Sequence, residues 1–130
     1  MVATPTTVLP IGLPVVSGER RRKHWGWGYE DQQPPPEQVR EIALGLRAHL
    51  GFGEAEVDQH VPLEQVELRP PRIDVPGSLA QIAATDDHAR ASHALGKAYR
   101  DVVRGFRGQF DDPPDVVLSP GDEEELERAL

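Results

Sequence analysis

The sequence predicts a mainly α-helical chain with irregular proline-rich segments and one terminal β-α unit that would begin an α+β domain. Three observations predict it. Apolar residues recur at helical spacing in two stretches, Val39 to Leu50 and Tyr99 to Phe110. Proline supplies 13 of the 130 residues, about twice the usual share of roughly 5%, so the helices should be short and loosely connected. The last segment, Pro114 to Leu130, reads as a buried strand, a turn and the first turns of a helix.

Residues 1–18 carry several prolines and no helical period, and are expected to form a flexible leader. A basic run, Arg20 to Lys23, follows. It leads directly into His24-Trp25-Gly26-Trp27-Gly28-Tyr29, which holds both tryptophans of the chain. After Pro34-Pro35-Pro36 comes the clearest helix. Pro36 suits the first helical position, where a missing N–H costs nothing. Val39, Ile42, Ala43, Leu46 and Leu50 share one face, Glu37 and Glu41 sit near the positive end of the dipole, and Gly51 is a natural stop.

Residues 52–84 are broken by Pro62, Pro70-Pro71 and Pro76-Gly77 and predict mostly irregular chain, with a short helix over 78–84 capped by Ser78. Thr85 is the expected N-cap of a helix reaching Leu95 and stopping at Gly96. A second helix places Tyr99, Val102, Val103, Phe106 and Phe110 on one stripe and ends near Gly108. Gly105 inside it costs about 1 kcal/mol relative to alanine. Val116 to Leu118 is the expected strand, and Asp122 with Glu125 the expected capping box of the last helix.

A β-α start needs a second strand and a sheet for its helix to cover. No partner strand for Val116 to Leu118 is expected, so the chain reads as the N-terminal piece of a larger α/β protein, marginally stable alone. Its expected parts are the leader (1–18), a helical region (19–110) and the start of a truncated domain (111–130).

The formal charge is −8, unevenly placed. Glu19 to Tyr29 sets four cations against Glu19, and Asp111 to Leu130 sets eight acids against Arg128. Such an acidic chain is a poor general nucleic-acid binder, although the basic cluster is able to meet one phosphate or one acidic surface. The absence of cysteine excludes disulfides, thiolate zinc sites and a cysteine nucleophile, and fits a cytoplasmic protein. No run approaches the roughly 20 apolar residues of a membrane span.

No residue is assigned a catalytic, cofactor-binding or metal-binding role. The five histidines are scattered, with His88 and His93 off a common helix face. The carboxylates at Asp111-Asp112 and Glu123 to Glu125 are explained by turns and capping, and no phosphate loop or nucleophile elbow occurs. The aromatic segment Trp25 to Tyr29 is expected to anchor a loop, since large aromatics usually serve burial. A binding platform is the second reading, and a stand-alone protein-interaction module using Arg20 to Tyr29 is its functional form. The basic run itself is expected to be a solvated face.

Two segments together carry a family resemblance. Lys23 to Tyr29 resembles the Lys-Trp-x-Gly-Trp-Gly segment near the start of alkylglycerone-phosphate synthases (alkyldihydroxyacetonephosphate synthases). His93-Ala94-Leu95-Gly96, the arginine-bearing helix Arg100 to Arg107, Gly108-Gln109-Phe110 and Pro114-Asp115-Val116-Val117-Leu118-Ser119-Pro120 resemble the stretch leading into that family's flavin domain. The family's first tryptophan falls at His24, with Trp25 one place later, which keeps a FAD-linked oxidase of the vanillyl-alcohol oxidase type open beside an ether-lipid enzyme. Residues 51–84 are unmatched.

The resemblance implies a FAD-dependent parent enzyme. The present chain would supply its helical N-terminal region and the first β-α unit of the FAD-binding domain. The family's pyrophosphate loop and catalytic residues lie further on, so none is carried onto a residue here, and neither FAD binding nor activity is expected of this chain alone. The implied partners are the remainder of the FAD-binding domain beyond Leu130 and a second copy of the parent in a homodimer.

Overall fold

The structure, a computed structural model, describes residues 20–54 and 56–130; the expected leader, residues 1–18, lies outside them. Four helices and one small sheet follow in the order α1 (Pro36–Leu50), β1 (Ala83–Ala84), α2 (Asp87–Ser92), α3 (Tyr99–Phe106), β2 (Val117–Leu118) and α4 (Glu123–Ala129). The fold is therefore mainly helical with a terminal β-α unit.

Helix α1 begins with Pro36 at its first turn and ends at Gly51, whose φ of 76° lets its N–H reach the Arg47 carbonyl at 2.9 Å. Its apolar stripe is not covered. Ile42, Leu46 and Leu50 are each more than half exposed, and Phe52 just beyond is more exposed still. Periodicity identified the helix correctly but not the fate of its face.

Between α1 and β1 the chain is irregular, with one-turn 3-10 segments at Leu63–Gln65 and Gly77–Leu79, each entered through a proline. The helix expected over 78–84 is thus a single turn. The reason is pairing: β1 runs antiparallel to β2, with Ala83 opposite Leu118 and Ala84 opposite Val117, and the Ser119 N–H donates to the Ile82 carbonyl at 2.8 Å. The expectation that the terminal strand lacks a partner is corrected by the same pairing.

Helix α2 is capped by Asp86 rather than Thr85, its carboxylate accepting from the Ala89 N–H at 3.0 Å. It stops at Ser92, short of Leu95. On α3, Tyr99 is 79% exposed and leaves the expected stripe, whereas Phe110 beyond the helix is buried. The α3 terminus is closed by Gly108 (φ 71°), whose N–H donates to the Gly105 carbonyl while Gln109 N–H donates to the Arg104 carbonyl. That pair of bonds is the Schellman arrangement. At α4 the Asp122 carboxylate accepts from Glu125 N–H at 2.8 Å, but Glu125 reaches back to the N–H of Gly121, one residue earlier than a capping box requires.

Arginines, not a large apolar core, join the terminal unit to the rest. Arg90 on α2 is 1% exposed. Its Nε donates to the Pro114 carbonyl at 2.8 Å, and a second guanidinium nitrogen donates to the Arg69 carbonyl. Arg69 in turn donates to the Pro113 carbonyl at 2.6 Å and to the Asp115 carboxylate. Arg72 completes the junction, with its backbone N–H at 3.1 Å and its guanidinium at 3.0 Å from the same carboxylate.

Arg72 first, and Arg69 second, hold the Asp115 carboxyl far below the ordinary carboxylate range. A carboxyl whose folded pKa lies below its unfolded one stabilises the fold fully above the unfolded value, about 3.9. That stabilisation is lost as pH falls further, through the folded value. Asp115→Asn should therefore lower the melting temperature at pH 7 and narrow its difference from wild type as pH falls below about 4. Melting curves of both proteins between pH 2 and pH 7 check this, and a difference that stays constant across that span contradicts it.

Candidate functional site: the basic aromatic loop

The loop from Arg20 to Gln32 is a tight hairpin. Arg22 and Tyr29 form an antiparallel bridge, Lys23 N–H donates to the Gly28 carbonyl at 3.1 Å, and Glu30 N–H donates to the Arg21 carbonyl at 3.0 Å. Gly28 takes φ 80°, the left-handed conformation that an L side chain rarely adopts. The basic run is only partly a solvated face. Arg20 makes a two-pronged pair with Asp31 at 2.8 and 2.9 Å, and its guanidinium lies 4.2 Å from the centre of the Tyr29 ring. The hydrogen bonds from Arg20 depress the Asp31 carboxyl and raise the arginine.

The two tryptophans have different roles. Trp25 meets Phe106 edge-on at 5.1 Å and stacks on His60 at 5.5 Å, while Gln33 donates its amide to His60 Nδ1 at 3.1 Å. Loop, irregular segment and α3 are joined there, and the Val61 N–H adds a bond to the Phe106 carbonyl at 2.9 Å. Trp27, in contrast, is 64% exposed. The anchoring expectation holds for Trp25 and fails for Trp27.

Trp25→Ala should cost about 1–2 kcal/mol, less than the 3–5 typical of a fully buried tryptophan because the ring is half-buried. Trp27→Ala should stay within about 0.5 kcal/mol of wild type. Urea denaturation of both variants checks the contrast.

His24 is buried between the rings of Phe110 and His60, each 6.1 Å away. Its Nε2 has no hydrogen-bond partner among the described residues. Burial, above all, pushes its pKa down, and the neighbouring histidines add to this, with the Val61 backbone opposing. The imidazole is thus held neutral, as an aromatic filler with a polar edge.

Two adjoining concavities flank the loop. One, of about 640 Å³, is walled by Arg22, Lys23, Trp27, Ser92, His93 and Lys97 with the two loop glycines. The other, of about 550 Å³, lies between Arg20 to Arg22 and the α2 residues His88 and Ser92, with His93 just past the helix end. His88 Nε2 donates to the Arg22 carbonyl at 2.8 Å and His93 Nδ1 to the Ala89 carbonyl at 2.8 Å. Sequence spacing kept these two histidines apart. The loop brings both to one concavity because it packs along the side and the end of α2. Lys97 was also missed, and its only signal is a cation just after Gly96. Among the described residues no cluster of His, Asp or Glu is placed to hold a metal ion.

No family model matches the chain. An alkyldihydroxyacetonephosphate synthase of Trypanosoma brucei brucei is 37% identical over 70 residues, covering 48% of this chain and 11% of that protein. Among solved structures, alkyldihydroxyacetonephosphate synthase in P1 superposes with a TM-score of 0.62 over 83% of this chain and 25% of its own, at 23% identity. The same enzyme in P212121 gives 0.59 over 82% and 24%, also at 23% identity. The chain therefore has the fold of part of such a protein and resembles alkyldihydroxyacetonephosphate synthases in sequence. It spans about a tenth of the curated relative and a quarter of the solved chains.

The start of α4, which would be the natural place, does not fit the pyrophosphate of a flavin. Its Gly121 and Glu125 N–H groups are already taken by Glu125 and Asp122, and Asp122 to Glu125 surround it with negative charge. Among the described residues no helix is long and apolar enough to cross a membrane.

Proposed function

We propose that this chain serves as the helical N-terminal region and first β-α unit of a FAD-dependent enzyme similar to alkyldihydroxyacetonephosphate synthase, with the FAD-binding domain starting at about residue 111. The observation that carries the reading is the agreement of two independent likenesses, one in sequence over 70 residues and one in fold over most of the chain, on the same kind of protein. The open apolar stripe of α1 supports it. Ile42, Leu46, Leu50 and Phe52 present a surface that the remainder of a larger protein would cover. On this reading the chain positions the start of the flavin domain through the arginine junction, binds no FAD by itself and catalyses nothing alone.

The test is the flavin content of the purified 130-residue chain after incubation with excess FAD. A colourless protein after gel filtration is expected. Stoichiometric flavin retained on the chain contradicts the assignment of the cofactor to residues outside it.

A further inference from the structure

The hairpin from Arg20 to Gln32 is tied together within itself and held to the body at few points. Its own ties are the Arg20–Asp31 pair and the bonds from Lys23 N–H to the Gly28 carbonyl and from Glu30 N–H to the Arg21 carbonyl. Outward, Trp25 meets Phe106 and His60, Gly26 rests against Val102, and His88 Nε2 donates to the Arg22 carbonyl. Between these holds lies His24, buried in its slot against Phe110 and His60.

We propose that His24 is a proton-operated latch: when its buried ring is protonated it leaves the slot, and the Arg20–Gln32 hairpin is released from α3. The proposal goes beyond the family reading and does not depend on it.

The geometry leaves a charged ring no place. An imidazolium carries an N–H on both nitrogens. At His24 the Nε2 is enclosed and has no partner among the described residues, so its N–H would find no acceptor there. The other two histidines of the cluster lack this constraint. His88 has the Arg22 carbonyl and, at 3.8 Å, the Glu30 carboxylate. His60 Nδ1 faces the Gln33 amide, which offers its oxygen after a flip.

The charges around His24 come from each side of the slot. His60 faces it from the irregular segment, His88 from α2 and Glu30 from the hairpin. Burial, first, holds the ring neutral. The two histidines add to this, and the Val61 backbone and Glu30 oppose it without prevailing. Arg22 and Lys23, its neighbours in the hairpin, lie over the Tyr29 and Trp25 rings. Past α3, Asp111 follows Phe110 but is exposed and bonded to Arg104 at 2.8 Å.

The released ring has the ordinary histidine value, about 6.5, and the docked ring a lower one. His24 therefore stabilises the docked hairpin fully above about pH 6.5, and this is lost as pH falls through the docked value. Between the two, each pH unit raises the ratio of released to docked hairpin by up to about tenfold, the slope of one proton. The arginine junction is untouched in this window, because the Asp115 carboxyl titrates far lower.

The test is NMR of the isotopically labelled 130-residue chain between about pH 8 and pH 5, the range in which histidines titrate. The His24 ring and the Trp25 indole N–H should move together, with one midpoint. The Ser119 amide, bonded to the Ile82 carbonyl, should keep its protection from exchange throughout. His24→Phe fills the slot without a titrating nitrogen and should hold the Trp25 signal still. His24→Gln also cannot titrate, and gives the same reading if the phenylalanine disturbs the slot. His88→Gln should leave the response intact. The proposal is overturned if His24 takes its proton while Trp25 stays in place, or remains neutral down to pH 5. It is equally overturned if the Trp25 response persists in the two His24 variants or vanishes in His88→Gln. Loss of Ser119 protection in step with Trp25 would mean that the whole chain unfolds, and would overturn it as well.

Discussion

Replacing Arg90 by methionine should lower the stability of the chain by about 2–4 kcal/mol, since two carbonyls lose a charged donor and an unsatisfied buried acceptor costs about 1–3 kcal/mol. Methionine matches much of the arginine's length and is apolar, so little packing is lost. What is lost is the donor pair. The carbonyls of Arg69 and Pro114, which converge on the guanidinium, would be left without their donor in a site too enclosed for free hydration. Those carbonyls belong to the irregular segment and to the linker before β2, so the loss should fall on the attachment of β2 and α4. Arg90→Lys keeps the charge but not the planar fork, and should recover less than half of the loss. Urea denaturation measures the total. Amide exchange at Ser119 and Leu126, whose N–H groups donate to the Ile82 and Asp122 carbonyls, measures whether the terminal unit opens first.

The second large effect concerns Gly105. A glycine inside an exposed helix is normally improved by alanine, by about 1 kcal/mol. That rule should hold at Gly45 in α1, where a Cβ would meet nothing within 4 Å. It should reverse at Gly105 in α3, where the new Cβ would lie 2.9 Å from the Trp25 carbonyl oxygen and 3.1 Å from its Cα. Those are backbone atoms of a hairpin pinned on both sides, so they cannot swing away as a side-chain tip does. Gly105→Ala should cost about 2–3 kcal/mol through overpacking, against the gain in helix propensity. The opposite signs of Gly45→Ala and Gly105→Ala in one denaturation series would establish that the loop rests directly on the α3 backbone. A stabilising Gly105→Ala would show that it does not.

Local chemistry made several elements legible in the sequence. Pro36 and Gly51 bracket α1, Asp122 caps α4, and the stripe through Val102, Val103 and Phe106 marks α3, because each signal acts within a few residues of its effect. The rest depends on partners distant in the chain. Ala83–Ala84 has no strand signal of its own and becomes β1 only because Val117–Leu118 pairs with it. Arg90 looks like any surface arginine of a short helix until two remote carbonyls meet it. Trp25 and Trp27 are indistinguishable in sequence, since the glycines between and after them set which ring turns inward.

The resemblance carried by Lys23 to Tyr29 also acquires a physical content. Gly26 is buried with its missing Cβ 3.6 Å from the Val102 side chain, and Gly28 needs its positive φ. His24, at the place of a family tryptophan, fills an enclosed aromatic slot against Phe110. The likeness therefore falls on residues that build the loop. The cavity beside it went unread because its cations come from two separate segments, Arg22-Lys23 and Lys97, on either side of α2.

The most direct test of the central claim is to sequence the transcript past codon 130. An open frame continuing into a glycine-rich loop and a flavin-binding domain is the result predicted. A stop codon at that point, with no flavin domain encoded nearby, would contradict it and leave the Arg20 to Tyr29 loop as the working surface of a small binding protein.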